Sequence, residues 1–182
     1  MLHGAAGRAG GAGEQTVSEE KSRRMFERAV MVVLRHEGGY VDDPLDRGGE
    51  TNFGISSRSN PDIDISSLTR AQAVEIYWER YWRGLHYEEL PQQVATKTFD
   101  LAVNMGRRKA VACLQRALRA CGLRVRVDGI LGPETWGAVW KTDGASLLPP
   151  LRSEAAGEYR LIAARDSSQI RFVRGWLDRA YS

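Results

Sequence analysis

Along most of this chain apolar residues recur at intervals of three and four, and only one stretch, residues 40–67, departs from that rhythm. A three-and-four period lays one apolar stripe along an α-helix. The chain therefore has a helix-packing problem to solve, with β structure confined to the interruption. The first helix is predicted from about Thr16 to Glu37, with Phe26, Ala29, Val30, Val33 and Leu34 on its apolar face. Thr16 with Glu19 fits a capping box, and Gly38-Gly39 stops the helix. Thr69 with Gln72 caps a second helix to about Trp82, whose apolar side is Val74, Tyr77, Trp78 and Tyr81. Pro91 opens a third, which ends at Gly106. A fourth runs from about Arg107 to Cys121, closed by Gly122, with Val111, Leu114 and Leu118 inward. Pro133 starts another, and two more stretches are predicted after Pro149-Pro150, at about 151–165 and 168–180. The interruption is rich in Asp, Gly, Pro, Ser and Asn, and predicts a small β-hairpin with a turn near Asp46-Arg47-Gly48-Gly49. With no repeat and no βαβ alternation, the expected class is mainly α, with one small β patch in the N-terminal third.

Composition narrows the function classes. At 182 residues a single hydrophobic core can form without a metal or disulfide staple. The net charge of +3 is a mild excess that suits a solvated surface or a polyanionic partner. No Lys/Arg block or RNA-binding signature appears, so no nucleic-acid partner is expected. Cys113 and Cys121 fall in one predicted helix about 12 Å apart, too far for a bridge. They read as buried thiols, which suits a reducing cytoplasm. The 3 histidines are scattered and no thiolates cluster, so neither a metal nor another cofactor is expected. Residues 1–15 read as a flexible Gly/Ala-rich leader without the apolar core of a secretion signal. No stretch reaches the ~18 apolar residues of a membrane span. Residues 16–182 are expected to form one domain and a monomer.

The interruption also carries the chemistry. Glycoside hydrolysis needs a carboxylic acid that gives its proton to the leaving oxygen. It also needs a second carboxylate that directs water or stabilises positive charge. Glu37 is placed at the carboxyl end of a helix, where the dipole disfavours its ionised form. Gly38 and Gly39 leave open backbone beside it. Asp46 follows in a polar hairpin that suits a carboxylate kept ionised. Thr51 offers a hydroxyl to hold a water between the two. An acid, a base and a water-holding hydroxyl favour inversion over a covalent intermediate. Each residue alone also fits a bland role: a solvated helix end, a turn former, an ordinary hairpin position. The spacing across a helix-to-hairpin junction is what sets them apart.

The segment His36-Glu-Gly-Gly-Tyr-Val-Asp-Asp-Pro-Leu-Asp-Arg-Gly-Gly-Glu-Thr-Asn-Phe-Gly-Ile-Ser56 resembles the signature of glycoside hydrolase family 108, phage-type N-acetylmuramidases with a lysozyme-like fold. The matching positions are Glu37, Gly38, Gly39, Tyr40, Asp43, Pro44, Asp46, Gly48, Gly49, Thr51, Gly54 and Ile55. Tyr77-Trp-Glu-Arg-Tyr-Trp82 resembles the family's aromatic helix, and Phe99-Asp-Leu-Ala-Val-Asn-Met-Gly106 its next conserved segment. Leu114-Gln-Arg-Ala-Leu118 with Val127-Asp-Gly-Ile-Leu-Gly-Pro-Glu-Thr135 resembles the half assigned to peptidoglycan binding. The resemblance spans roughly residues 25 to 180. It implies a lysozyme-like fold, with residues 16–90 catalytic and 91–182 wall-binding, and carries the family's proposed catalytic acid onto Glu37. Arg47 departs from it, standing where proline is common, and the 51–70 connection follows its own course.

Substrate contacts are expected at Tyr40, Asp43, Asn52, Phe53, Gly54, Asp100 and Asn104. Asp100 and Asn104 share one helix face, and also fit buried hydrogen bonding. Trp78, Tyr81 and Trp82 offer a sugar-stacking wall or a core stripe. His36 points away from Glu37 on the helix and is expected at the surface or partly packed. Asp128-Gly129 and Gly132-Pro133 fit turn formation and helix capping as well as wall binding. The expected activity is N-acetylmuramidase action on peptidoglycan glycan strands. The setting implied is a phage endolysin made in the host cytoplasm and released through holin lesions, or else a secreted antibacterial toxin. A lytic transglycosylase and a non-enzymatic wall-binding protein are the competing readings.

Overall fold

A computed structural model describes residues 11–42 and 49–182, with side chains from Ser18 onward. Among the described residues the chain is mainly α. Seven α-helices are joined by short turns and interrupted by one two-stranded sheet: α1 Gly11–His36, β1 Thr51–Asn52, β2 Ile55–Ser56, α2 Arg70–Tyr77, α3 Gln92–Met105, α4 Arg107–Ala120, α5 Pro133–Val139, α6 Gly144–Arg165 and α7 Val173–Tyr181.

The core is built around α3, which packs against α1, α4 and α6. Its residues Val94, Ala95, Thr98, Phe99, Leu101 and Ala102 are all buried, and so are its two charged residues Lys97 and Asp100. A helix buried around most of its circumference, with only Gln93 and Asn104 exposed, belongs inside a bundle. On one flank sits an aromatic cluster, where Phe26 meets Trp78, Trp82 and Phe99 at ring-centroid distances of 5.2, 5.6 and 6.0 Å in edge-to-face geometry. Trp78 and Trp82 are therefore core, and the Trp82 indole donates to Ser22 Oγ at 3.0 Å.

Several predicted ends hold. Thr69 and Gln72 form a reciprocal capping box at the start of α2. Gly106 and Gly122 close α3 and α4 with positive φ, and Pro133 is the first residue of α5.

Others shift for identifiable reasons. α1 begins at Gly11, so Thr16 lies inside the helix and not at its cap, and residues 11–15 are helix and not leader. Adding a turn to a helix already nucleated costs little. The helix that reaches Trp82 changes character at Trp78, where residues Trp78–Trp82 form a π turn closed by Arg83 N donating to Trp78 O at 2.8 Å. α6 starts at Gly144 and runs through Pro149-Pro150. Asp143 supplies the overlooked cap, accepting from Ala145 N at 3.2 Å, and buried Leu147 and Leu151 anchor the turns around the prolines. The last predicted helix is a 3₁₀ segment, Ser167–Phe172, followed by α7. Cys113 is buried, but Cys121 ends α4 exposed, contrary to the expectation of two buried thiols.

The Asp128-Gly129 turn is held by one buried side chain. Gln115 Oε1 accepts from Asp128 N and Gly129 N at 3.0 and 2.8 Å, and its Nε2 donates to Asp128 Oδ1, Ile130 O and Thr135 Oγ1. The resemblance between this turn and a wall-binding signature thus has a structural content, the docking of a loop onto α4.

Candidate active site

Glu37 follows directly on α1, its backbone N donating to Val33 O at 3.0 Å. The two glycines after it do not adopt left-handed geometry, and a Cβ on either would meet open space. The chain then reaches Val41, which pairs antiparallel with Thr51. Asp43 and Asp46 lie outside the described residues, as does the predicted turn except for Gly49.

A second turn does the closest work. β1 and β2 are joined by Phe53-Gly54, with Thr51 opposite Ser56 and Asn52 opposite Ile55. Phe53 and Gly54 both have positive φ, 50° and 76°, the geometry that a two-residue hairpin loop demands. Phenylalanine rarely adopts it. The Tyr77 hydroxyl pins the turn by donating to Phe53 O at 2.7 Å. The tip presses against the carboxyl of Glu37: a Cβ on Gly54 would fall 2.4 Å from both Glu37 Cδ and Oε2. Only glycine permits both the left-handed φ and this approach.

On its other side Glu37 meets α7. The Arg179 guanidinium donates from one terminal nitrogen to Glu37 Oε1 and from Nε to Asp100 Oδ1 at 3.0 Å. Asp100 is fully buried, and also lies 3.0 Å from His36 Nδ1 and 3.6 Å from Lys97 Nζ. Lys97 donates to the Arg179 carbonyl oxygen. Burial works against the charge of Arg179, but Asp100 and Glu37 outweigh it and raise its pKa. Burial holds the Lys97 pKa down, with Asp100 opposing. Glu37 is thus clamped by its Oε1 to a buried charge network linking α1, α3 and α7, while its Oε2 side faces the hairpin tip.

The other expected site residues fall into three groups. Tyr40 is half exposed on the approach to the hairpin, its hydroxyl donating to Glu50 Oε2 at 2.9 Å. Thr51 stands on β1 with its hydroxyl 3.5 Å from Val41 O, a weak contact that leaves it available to another partner. Asn104 lines a cleft of about 670 Å³ that also contains Glu37 and Arg179. Asn52 and Asp100 are buried, with their polar groups engaged inside the protein. The buried Asn52 amide donates to Ile65 O and Leu68 O at 3.2 and 3.3 Å, tying the hairpin to the chain that leads into α2. Asp100 is enclosed by its charged partners, and His36, partly packed as one of its two expected placements allows, is one of them. Arg179 itself has no local sequence signature, since its contact with Glu37 spans 142 residues. Among the described residues no group of three or more His, Cys, Asp or Glu side chains is placed to hold a metal.

Gly54→Ala is expected to fold, with a modest loss of stability of ~1 kcal/mol from the left-handed φ. Its new methyl must push the Glu37 carboxyl aside, and a displacement of this kind costs on the order of 100-fold in rate. Turnover and a thermal melt measured on the same preparation check both halves.

Two family models match consecutive parts of the chain: glycosyl hydrolase 108 over residues 30–106, and one described as "Predicted Peptidoglycan domain" over residues 109–181. Among solved structures, that of Brucella abortus SagA is similar with a TM-score of 0.70 and 30% identity, covering 87% of this chain and 90% of that one. No curated protein matches.

Proposed function

This chain belongs to the glycosyl hydrolase 108 family, and from that premise we propose that it is an N-acetylmuramidase, cutting the β-1,4 bond between N-acetylmuramic acid and N-acetylglucosamine with Glu37 as the general acid. A glycosidase half followed by a half matching a peptidoglycan domain makes peptidoglycan the substrate class. The observation that carries the finer reading is the two-sided hold on Glu37. Arg179 binds Oε1 and the Gly54 tip defines the side of Oε2. One oxygen is kept for orientation, and the carboxyl as a whole lines a cleft in which a glycosidic oxygen can be met.

The rest of the chemistry is assigned on the same reading. Asp46 acts as base toward a water that the weakly engaged Thr51 hydroxyl helps to hold, and the sugar is displaced with inversion. The biological role on this reading is that of a phage endolysin released onto the wall through holin-type lesions.

Product analysis of digested sacculi tests the proposal. New reducing ends on N-acetylmuramic acid, released first as the α anomer by NMR, are expected. Anhydro products one water lighter would instead make the protein a lytic transglycosylase. Sedimentation with sacculi and no new ends would leave only wall binding.

A further inference from the structure

The cleft that holds Glu37 is not walled by the first half of the chain alone. Asn104, at the end of α3, forms one part of it. Phe172, just before α7, and Gly175, Trp176 and Asp178 along it line the cleft as well. Three of these lie within the first two turns of one helix, so the wall is a single face and not a chance meeting of loops. Its size of about 670 Å³ is within the ~300–1,000 Å³ of ordinary ligand clefts.

The aromatic part of the wall is held rigidly. The Trp176 ring stacks on buried Tyr159 at 5.4 Å and 22°, and lies 5.8 Å from Phe172. The guanidinium carbon of Arg171 sits 4.6 Å from the Phe172 ring centre. Trp176 remains only half-buried, so its outer part faces the cleft. A fixed indole presents apolar area at little entropic cost. Beside it are an amide and a carboxylate, Asn104 and exposed Asp178, the groups that pair with the acetamido and hydroxyl groups of an amino sugar. Gly175 lies between the rings and Asp178 on the helix, and a Cβ there would meet open space.

We propose that this α7 face, with Asn104, is a subsite for one N-acetylated hexosamine of the glycan strand next to the bond that Glu37 cleaves. The chain's second half is then a wall of the catalytic cleft, and not only a module that tethers the enzyme to its target. The inference rests on the glycan-cleaving reading of Glu37.

Two variants test it, each made in wild type and in Glu37→Gln, where turnover does not obscure binding. Trp176→Ala removes the platform. It also strips a partner from Tyr159, so its folding is the less certain of the two. Gly175→Leu adds a helix-favouring side chain into open space, fills the cleft and should keep the wild-type melting temperature or raise it. Calorimetry with tri-N-acetylchitotriose is expected to show binding at least 10-fold weaker in both variants. On sacculi, KM should rise by a similar factor while kcat falls far less. Unchanged affinity in a folded Gly175→Leu protein would overturn the subsite. So would weakened binding of peptide-bearing muropeptides with chitotriose unaffected, because the wall would then take the stem peptide. Persistent cleavage by Glu37→Gln would instead defeat the catalytic reading, so the two failures are distinguishable.

Discussion

Glu37→Gln is expected to fold as the parent does and to lose wall lysis by roughly 100- to 10,000-fold, the range that a general acid supplies. The substitution keeps the shape of the side chain. The amide oxygen can still accept from Arg179, and the amide can still lie beside Gly54 without a clash. Only the transferable proton is gone. Stability should change little, because Arg179 keeps its bond to Asp100, which holds the only fully buried charge of the cluster. Turbidity decay, reducing-end release and a thermal melt on the same preparation read the two effects separately. Lysis within a few-fold of wild type in a folded Glu37→Gln protein would remove Glu37 from the acid role. A collapse in melting temperature would mean that the carboxylate serves the fold as much as the chemistry.

Glu37 reads as a candidate from the sequence because its setting is local. A helix end, two glycines and a polar stretch all lie within a few residues, and helix periods and stop signals act over that same range. The same holds for the Thr69–Gln72 cap, for Gly106 and Gly122, and for Pro133 at the start of α5. Features that depend on tertiary contacts were not legible in this way. Phe53-Gly54 reads as part of an apolar run, and becomes a hairpin turn because Tyr77, 24 residues away, holds the Phe53 carbonyl. Pro149-Pro150 reads as a helix boundary, yet α6 carries the pair inside because Asp143 caps it upstream and Leu147 and Leu151 bury around it. Asn52 is one of the expected substrate contacts, but its amide donates to the Ile65 and Leu68 carbonyl oxygens. Asp100 belongs to a helix face that invited a cleft role. It is instead a buried counter-charge, and its partner Arg179 is 79 positions further along the chain. Arg179 is illegible for the same reason, since nothing near it in the chain announces Glu37, 142 positions away.

Arg179 is where fold and chemistry meet, and its removal should damage both. In Arg179→Met the side chain keeps an unbranched apolar stem but loses the fork that joins Glu37 to Asp100. Asp100 is then left fully buried with only His36 and Lys97 to answer its charge. Breaking one side of a buried ion pair costs about 3–5 kcal/mol. For a domain of this size that corresponds to a melting temperature lower by roughly 10 °C. Arg179→Lys is expected to recover only part of the loss, because a single ammonium cannot reach two carboxylates with the geometry of a guanidinium. Arg179→Met combined with Asp100→Asn separates the roles. Neutralising the orphaned charge should restore much of the stability, while Glu37 still lacks the donor that orients its Oε1. Cleavage in the double variant should therefore stay at least 10-fold below wild type, with kcat falling more than KM rises, as befits a positioning residue that acts through Glu37. Recovery of stability and of kcat together would mean that Arg179 serves the fold alone. If kcat stays low once stability has returned, the last helix of the chain must reach back to hold the acid at the end of the first.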